Sequence, residues 1–195
     1  MIDAIVLAAG ESTRMGKPKP LLRFGDRTFL EQIVTVLQNS SVDRITVVLG
    51  AQARRIAEAI DFADASMVVN KDYRSGQLSS LIAGLKHVPR ETEAILLCLV
   101  DHPFITTDVV NRIVSEFTAT RAPIVIPTFD GRRGHPTLFS RVMFKELGAA
   151  PEAQGARHVV YANEDKVLEV AVSDNTIFTG VNTPDEYRSR FGIDP

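Results

Sequence analysis

Several polar segments of the sequence combine residue types that suit chemistry on phosphate groups. The first, Leu7 to Lys19, follows the apolar run at the N-terminus and holds small residues, hydroxyls and the cations Arg14 and Lys19. Small residues at positions 8–10 let the backbone approach a ligand closely, and consecutive N–H groups beside cations can cradle anionic oxygens. A basic surface turn is the alternative interpretation.

This first loop carries neither of the common phosphate-binding patterns. The P-loop pattern Gly-x-x-x-x-Gly-Lys-Ser/Thr is absent, and so is the Gly-x-Gly-x-x-Gly fingerprint of dinucleotide-binding proteins. A nicotinamide-dependent oxidoreductase is therefore the most remote of the functions that we considered.

A carboxylate stands at the end of the most continuous apolar run, Ile95 to Val100. Asp101, at the carboxyl end of a strand, would open onto a ligand cleft, and Mg²⁺ needs only one or two carboxylates besides waters and substrate phosphates. An aspartate that caps a helix or closes a turn is the alternative. We interpret His102 as a neighbour of the site, and no spaced partner indicates a zinc site.

Three later segments hold further candidates. Ser75 to Leu85 places a glycine and serines at a predicted helix start, where free N–H groups suit a polar ligand, although plain capping by Ser75 or Ser79 is equally compatible. Asn182 offers an amide oxygen that hard cations accept, or it caps the last helix with Thr183. The stretch Gly131 to Pro136 has two glycines and two arginines, which favour an anionic ligand, or it is a mobile loop with one packed histidine.

Apolar periodicity places these segments between alternating strands and helices. Short apolar runs predict strands at Ile2–Leu7, Ile45–Leu49, Met67–Val69, Ile95–Val100, Ile124–Ile126 and, half exposed, at Val167–Val172. Helical spacing predicts helices over Phe29–Leu37, Ala51–Ile60, from after Gly76 to Leu85, from Thr106 or Thr107 to about Phe117, and over Pro184–Phe191. The alternation predicts an α/β sandwich around a mainly parallel sheet, and it weakens after Phe129, which leaves antiparallel pairing open for the later strands.

Composition restricts the class of protein further. The 22 Lys and Arg residues against 24 Asp and Glu leave a net charge of −2, which gives no indication of nucleic-acid binding. No apolar run reaches the roughly 18 residues of a membrane helix, and the N-terminus lacks a signal-peptide pattern. The single cysteine, Cys98, excludes an intramolecular disulfide framework. We expect a cytoplasmic protein with one domain, residues 1–195, that binds neither nucleic acid nor membrane.

The first loop, taken as a whole, resembles the signature loop of the MobA-like NTP transferase family. Its Leu-Ala-Ala-Gly-x-Ser-x-Arg-Met-Gly string, followed by Pro-Lys-Pro-Leu-Leu, is similar to the molybdenum cofactor cytidylyltransferase branch, whereas the guanylyltransferase branch usually has Leu-Ala-Gly-Gly. The motifs at 76–85, 100–103 and 134–136 resemble later family motifs in the same order. Asn182 departs from the family, which commonly has Asp there.

The resemblance implies a three-layer α/β/α sandwich of the Rossmann-like nucleotidyltransferase type with a mainly parallel, mixed sheet. In the implied reaction, an acceptor phosphate attacks the α-phosphorus of an NTP and pyrophosphate leaves. Positioning and electrostatic stabilisation suffice for such chemistry. The catalytic candidates are therefore Arg14, Lys19 and Asp101. Lys17 matches no fixed position of the family motif, and we expect it to be solvated.

The resemblance also implies a set of ligand contacts. For the nucleotide they are Leu7, Ala8, Ala9, Gly10, Arg14, Lys19, Gly76 and Ser80, with Asn70 as a weaker base contact; for Mg²⁺ they are Asp101 and Asn182; for the acceptor they are Arg133, Gly134, His135 and Arg157. This branch implies CTP as donor, a phosphorylated molybdopterin as acceptor and a molybdenum hydroxylase as the user of the product. Two alternatives stay open: transfer to another small phosphorylated metabolite, and a non-catalytic assembly factor that holds the cofactor for a hydroxylase.

Overall fold

The apolar runs form strands, and the segments with helical spacing form the helices between them. The computed structural model describes all residues, Met1–Pro195, with ten strands and seven helices. The strands are β1 Ile2–Ala8, β2 Arg23–Phe24, β3 Arg27–Thr28, β4 Arg44–Leu49, β5 Ser66–Val69, β6 Ala94–Leu99, β7 Ile124–Phe129, β8 Arg132–Arg133, β9 Thr137–Ser140 and β10 Val167–Ala171. The helices are α1 Phe29–Gln38, α2 Ala53–Ala59, α3 Gln77–Leu85, α4 Thr107–Thr120, α5 Phe144–Ala149, α6 Ala156–Ala162 and α7 Pro184–Phe191.

Eight of the strands form one mixed sheet. Seven of them follow the order β10-β7-β9-β6-β1-β4-β5, and β8 pairs with β7. The pairs β1–β4, β1–β6, β4–β5 and β7–β10 are parallel, whereas β9 is antiparallel to both β6 and β7. Among the seven strands in this order, only β9 runs against the other six, so the carboxyl ends of those six lie at one edge of the sheet. The predicted mainly parallel α/β sandwich is therefore confirmed.

Three short strands, β2, β3 and β8, were not predicted. Each has only two residues, which is too short to show a period of two. β8 lies within the stretch that we predicted as a loop. The proposed caps of α3 are wrong, because its N-cap is Gly76 with φ of 109° and no side chain caps it.

The sheet separates two hydrophobic cores. Along β1, Val6 faces a cluster of 33 buried residues, and Ile5, one position away, faces a second cluster of 13. This alternation follows from the period of two along a strand. Helices α1, α2, α4 and α7 contribute to the larger cluster, and α3, α5 and α6 contribute to the smaller one. The helices thus form a layer on each face of the sheet.

An aromatic cluster fixes α7 against the hairpin and α1. Tyr187 is 1% exposed, lies 4.6 Å from Phe191 and 6.0 Å from Phe29 between ring centroids, and donates a hydrogen bond to the carbonyl of Arg23 at 2.9 Å. A buried aromatic side chain contributes about 1.5–3 kcal/mol by removal of its apolar area from water. The start of α7 is therefore held in one place. None of the seven helices combines the length and hydropathy that crossing a bilayer would require.

Candidate active site

The first loop folds back over the end of β1. Ser12 has a positive φ of 55°, and its carbonyl accepts hydrogen bonds from the N–H groups of Met15 and Gly16 at 3.0 and 3.1 Å. The Met15 side chain is 2% exposed and anchors the loop in the larger core. The Ser12 hydroxyl accepts a hydrogen bond from the N–H of Lys19 at 3.0 Å. These contacts fix the loop so that the Lys19 side chain lies at the edge of the sheet.

Four predicted side chains from three separate segments meet beside this loop. The Lys19 ammonium lies 3.2 Å from Oδ2 of Asp101 and donates to Oδ1 of Asn182 at 2.8 Å. The Arg14 guanidinium donates to the same Asn182 oxygen at 3.3 Å. A carboxylate oxygen and an amide oxygen therefore both contact the Lys19 ammonium. Lys19 and Arg14 both contact the Asn182 oxygen, and these two cations can face a polyphosphate.

Neither Asp101 nor Asn182 serves as a helix cap. The Thr106 hydroxyl caps α4, and Thr183 forms a capping box with Glu186 at the start of α7. The N–H of Val181 donates to the carbonyl of Asp101 at 2.8 Å, which ties the segment before α7 to the end of β6. Both Asp101 and Asn182 are thus left with oxygen atoms that face the cluster.

The predicted nucleotide residues surround a cleft of about 310 Å³ at this edge, which we call the first cleft. It is lined by Leu7, Ala8, Ala9, Gly10, Ser12, Thr13, Arg14, Lys19, Pro20, Tyr73, Gly76, Gln77, Ser80, Leu99, Val100, Asp101 and Asn182. Asn70 does not line it. Its amide is buried and donates to the hydroxyls of Ser79 and Ser80 at 2.9 and 3.1 Å. Asn70 therefore orients Ser80, which does face the cleft.

A second cleft of about 360 Å³ adjoins the first, and Gln77 and Leu99 line both. Its other lining residues are Leu97, Ile126, Arg133, Gly134, His135, Thr137, Phe139, Gln154, Ala156, Arg157, Val160 and Tyr161. The second cleft thus contains all four predicted acceptor residues, with apolar side chains from β6, β7 and β9 beneath them.

The two arginines of the second cleft differ in what they contact. Arg133 makes ion pairs with Glu164 and Glu169, each at 2.7 Å, so its charge is already matched by carboxylates. Arg157 is exposed and makes no ion pair. Arg157 is therefore the better placed of the two to meet an anionic ligand.

Two histidine rings lie between the Asp101 cluster and the second cleft. The centroids of His102 and His135 are 4.7 Å apart, and Nε2 of His102 lies 3.9 Å from Oδ1 of Asp101. Burial lowers the pKa of His102, and burial together with the nearby His102 lowers the pKa of His135 to about 4. Both rings are therefore neutral near pH 7.

Sequence reasoning missed most of the apolar floor of the second cleft. Leu97 and Leu99 lie two positions apart along β6, and Ile126 and Phe139 come from the strands β7 and β9. The period of two along β6 would have placed Leu97 and Leu99 on one face. No signal in the sequence indicated that β9 inserts between β6 and β7. The aromatic Tyr73 in the first cleft was also missed, because it lies in a turn without periodicity.

The oxygen donors of the first cleft fit a hard divalent cation. Such ions take one or two protein carboxylates or carbonyls, with waters and phosphate oxygens completing the coordination. Asp101 and Asn182 offer these two atoms, and the position of the Lys19 ammonium beside both shows that they can share one positive charge. Fixed cations, paired oxygens and a cleft at the carboxyl ends of parallel strands are together typical of nucleotide-binding α/β enzymes.

The particular family within this class follows from comparison with known proteins. The sequence profile of the MobA-like NTP transferase domain matches residues 4–167, and the chain belongs to this family of nucleotidyltransferases. A molybdenum cofactor cytidylyltransferase of Escherichia coli (strain K12) is 28% identical over 188 residues, which cover 95% of this chain and 93% of the relative. A nicotine blue oxidoreductase of Paenarthrobacter nicotinovorans is 30% identical over 146 residues, 69% of each protein.

Two solved structures share the fold of this chain. Rv0371c from Mycobacterium tuberculosis H37Rv has a TM-score of 0.88 and 31% identity, with 98% of this chain and 97% of that chain covered. A complex of Rv0371c with manganese has a TM-score of 0.83 and 30% identity, with 96% of each chain covered. The fold of this chain is thus shared with these structures along nearly its whole length.

Proposed function

We propose that this nucleotidyltransferase is a molybdenum cofactor cytidylyltransferase. It transfers CMP from CTP to the phosphate of a molybdopterin-type acceptor and releases pyrophosphate. The observation that carries the proposal is the pair of adjoining clefts, one with cations and oxygen ligands for a triphosphate, the other with an apolar floor and an unpaired arginine. The similarity to the cytidylyltransferase of E. coli supports the same donor and acceptor.

The proposed reaction needs charge stabilisation more than proton transfer. An oxygen of the acceptor phosphate forms a bond to the α-phosphorus, and the bond from that phosphorus to the bridging oxygen of pyrophosphate breaks. The acceptor phosphate is ionised near neutral pH, so no general base has to act. Lys19 and Arg14 offset the charge that develops on the phosphoryl oxygens, which is typically the largest contribution to such catalysis.

A divalent cation belongs to this proposal, with Mg²⁺ as the ion we assign. When bound, it would offset part of the negative charge of the phosphate groups. Asp101 would hold it through a carboxylate oxygen, and Asn182 through its amide oxygen. The backbone at both residues is held by the contacts that join Val181 to Asp101 and Thr183 to α7, so the fold itself places the two side chains.

Each cleft takes one substrate in this proposal. In the first, the backbone of Leu7 to Gly10 faces the base and ribose, Gly76 leaves space, and Ser80 contacts the pyrimidine. In the second, the apolar floor packs against the flat acceptor ring, and Arg157 meets an anionic group. Gly134 and His135 form the wall next to the first cleft, while Arg133 holds the edge of this wall through Glu164 and Glu169.

We also propose that residues 1–195 act as one catalytic domain in the cytoplasm, where a molybdenum hydroxylase would receive the product. The proposed reaction itself involves no contact with that hydroxylase. The reaction can therefore be tested with the isolated chain.

The test is a panel of CTP, GTP, ATP and UTP with purified molybdopterin and Mg²⁺, followed by pyrophosphate release. CTP is expected to give the highest kcat/KM, and release is expected to require the acceptor. Better use of GTP or ATP would contradict the cytidylyl assignment. Phosphorylated sugars and alcohols form a second arm of the experiment. Turnover with those compounds alone would identify a different class of acceptor. Oxidation of NADPH by the chain, without pyrophosphate release, would favour the reaction class in the name of the P. nicotinovorans relative.

A further inference from the structure

We propose that the hydroxyl of Thr137 determines specificity for the acceptor, by a hydrogen bond to a polar edge of the acceptor ring at the floor of the second cleft. This inference deepens the proposed function and rests on its assignment of the acceptor to this cleft. The ligand class that fits is a flat heterocycle with carbonyl, amino or nitrogen groups on its ring, as in a pterin. A hydrocarbon ring of the same size would leave the hydroxyl without a partner.

Thr137 is a polar residue within an apolar floor. It stands opposite Leu97 in the antiparallel pairing of β9 with β6, and Phe139 lies two positions further along β9 in the lining of the same cleft. Ile126 of β7 belongs to the same floor. Ligand pockets are typically apolar, with a few polar groups that fix the orientation of the ligand. The position of Thr137 is therefore that of a group which orients a bound ring.

The Thr137 side chain is buried, but its hydroxyl has no hydrogen-bond partner in the protein. The residue is 7% exposed, and its Oγ1 atom makes no hydrogen bond. The side-chain polar atoms that are fully enclosed without a partner belong to Asp3, His102, His135 and Thr176. The Thr137 hydroxyl is not among them, so it keeps a small opening, and the space beside it is the second cleft.

An open hydroxyl at the floor of a cleft selects for ligands that can replace water. Water that enters the cleft would hydrogen-bond to this hydroxyl, and a ring that displaces the water loses affinity unless it supplies the same hydrogen bond. A hydroxyl offers one donor and two acceptor sites, so that either a ring carbonyl or an amino group can pair with it. Valine has nearly the shape of threonine and would fill the same space without this requirement.

The direct test compares two flat anions of similar size, pterin carboxylate and naphthoate, by calorimetric titration. Both carry an anionic group for Arg157, but only the pterin has a polar ring edge. We expect the wild-type protein to bind pterin carboxylate about tenfold more tightly, because naphthoate leaves the buried hydroxyl unpaired. Thr137→Val is expected to lose most of this preference, and Thr137→Ser, which keeps the hydroxyl, is expected to retain it.

Thr46→Val is the matched control for this titration. Thr46 is 8% exposed and lines neither cleft, so its replacement is expected to leave the preference unchanged. An unchanged preference in Thr137→Val would overturn the inference. Equal binding of the two compounds by the wild-type protein would also overturn it.

Turnover and stability distinguish a contact with the acceptor from a structural role. Thr137→Val is expected to raise the KM of molybdopterin about tenfold and to leave the KM of CTP unchanged. Its unfolding temperature is not expected to fall, because an apolar group replaces a buried hydroxyl that has no partner in the chain. Equal losses of stability and turnover in Thr137→Val and Thr137→Ser would assign Thr137 to the fold alone and overturn the inference.

Failure of this inference and failure of the proposed function give different results. Normal pyrophosphate release by Thr137→Val, with an unchanged KM for molybdopterin, would reject the role of Thr137 and leave the proposed function in place. If the wild-type protein released no pyrophosphate with molybdopterin but bound pterin carboxylate through Thr137, the proposed reaction alone would be rejected. Binding of neither compound would reject the second cleft as the acceptor site, and this inference with it.

Discussion

At the scale of single residues, the proposed chemistry depends on a few side chains that contact one another. Lys19 lies beside oxygen atoms of Asp101 and Asn182, and Arg14 shares the Asn182 oxygen. Each of these groups can exchange its present partner for a phosphate or a cation without leaving a buried charge unpaired. Such a set of polar groups is preorganised for a charged ligand, because its orientation is already determined before the ligand arrives.

Replacement of Lys19 tests this set most directly. Lys19→Met keeps most of the side-chain length and removes the charge, and we expect kcat to fall by about 10²–10³, as when one preorganised charge-stabilising donor is removed. Pyrophosphate release measures the effect. Lys17→Met is the control, because Lys17 is exposed and contacts only the carbonyl of Pro195. Wild-type turnover in Lys19→Met would contradict the proposed role.

The partly buried His135 predicts a dependence of stability on pH. Its pKa is lowered to about 4 from 6.5, mainly by burial and further by His102, while Asp101 opposes the shift. Between these pH values the unfolded chain binds a proton that the folded chain does not, so stability rises with pH. The contribution is complete above pH 6.5 and is lost as the pH falls towards 4, and it amounts to about 3 kcal/mol.

His135→Gln removes this titration and provides the measurement. Urea unfolding at pH 7 and at pH 4.5 is expected to show a smaller pH difference in the free energy of unfolding for His135→Gln than for the wild type. His102 titrates in the same direction and is kept in both proteins, so it does not account for the difference. An identical pH difference in the two proteins would show that His135 is accessible to protons in the folded state.

At the scale of secondary structure elements, the start of α7 controls the position of Asn182. The capping box of Thr183 and Glu186 fixes the first turn, and the aromatic cluster around Tyr187 holds the helix on α1. The N–H of Val181 then joins this segment to the end of β6. Asn182 is thus positioned by a helix end and a strand end at once, and not by contacts of its own loop alone.

Removal of this cap is expected to affect both stability and ligand binding. Thr183→Ala should cost about 1 kcal/mol of stability, the typical value for loss of an N-cap, and should also weaken metal-dependent binding of CTP. Thr28→Ala is the matched control, because Thr28 forms the same capping box on α1. It should lose similar stability, measured by thermal unfolding, and keep its affinity for CTP. Equal losses of affinity in the two variants would argue against a role of α7 in positioning Asn182.

At the scale of the whole molecule, one edge of the sheet brings two clefts together. Their division follows from the strand order, since β1 and β6 border the first cleft, and β6, β9 and β7 form the floor of the second. The segment between β10 and α7 contacts both, because Ile177 accepts a hydrogen bond from the N–H of His135 and Val181 donates one to Asp101. The two clefts are therefore held side by side by one connecting segment.

Separate clefts predict separable effects on the two substrates. Ser80→Ala is expected to weaken binding of CTP, by about 1 kcal/mol for one lost hydrogen bond, and to leave the KM of the acceptor unchanged. Arg157→Ala is expected to raise the KM of the acceptor alone. In the double variant the two losses should add as free energies, because the residues share no contact. Steady-state kinetics with each substrate varied in turn would reveal any coupling that contradicts this separation.

The sequence by itself determined the order of the elements and most of the residues around the first cleft. β1, β6 and α7 were predicted within one residue at each end, because burial on a sheet or helix imposes a local period that a short window displays. The loop from Leu7 to Lys19 was recognisable for a similar reason, since its small and charged residues are consecutive.

Only the tertiary structure decided which distant residues meet. Lys19 contacts Asp101 and Asn182 across 82 and 163 positions, Arg133 is matched by Glu164 and Glu169, and the amide of Asn70 is turned towards Ser80. The insertion of β9 between β6 and β7 likewise has no local signal. A sequence pattern indicates which side chains need a partner. Which partner each one meets depends on strand order and packing, and these are properties of the whole chain.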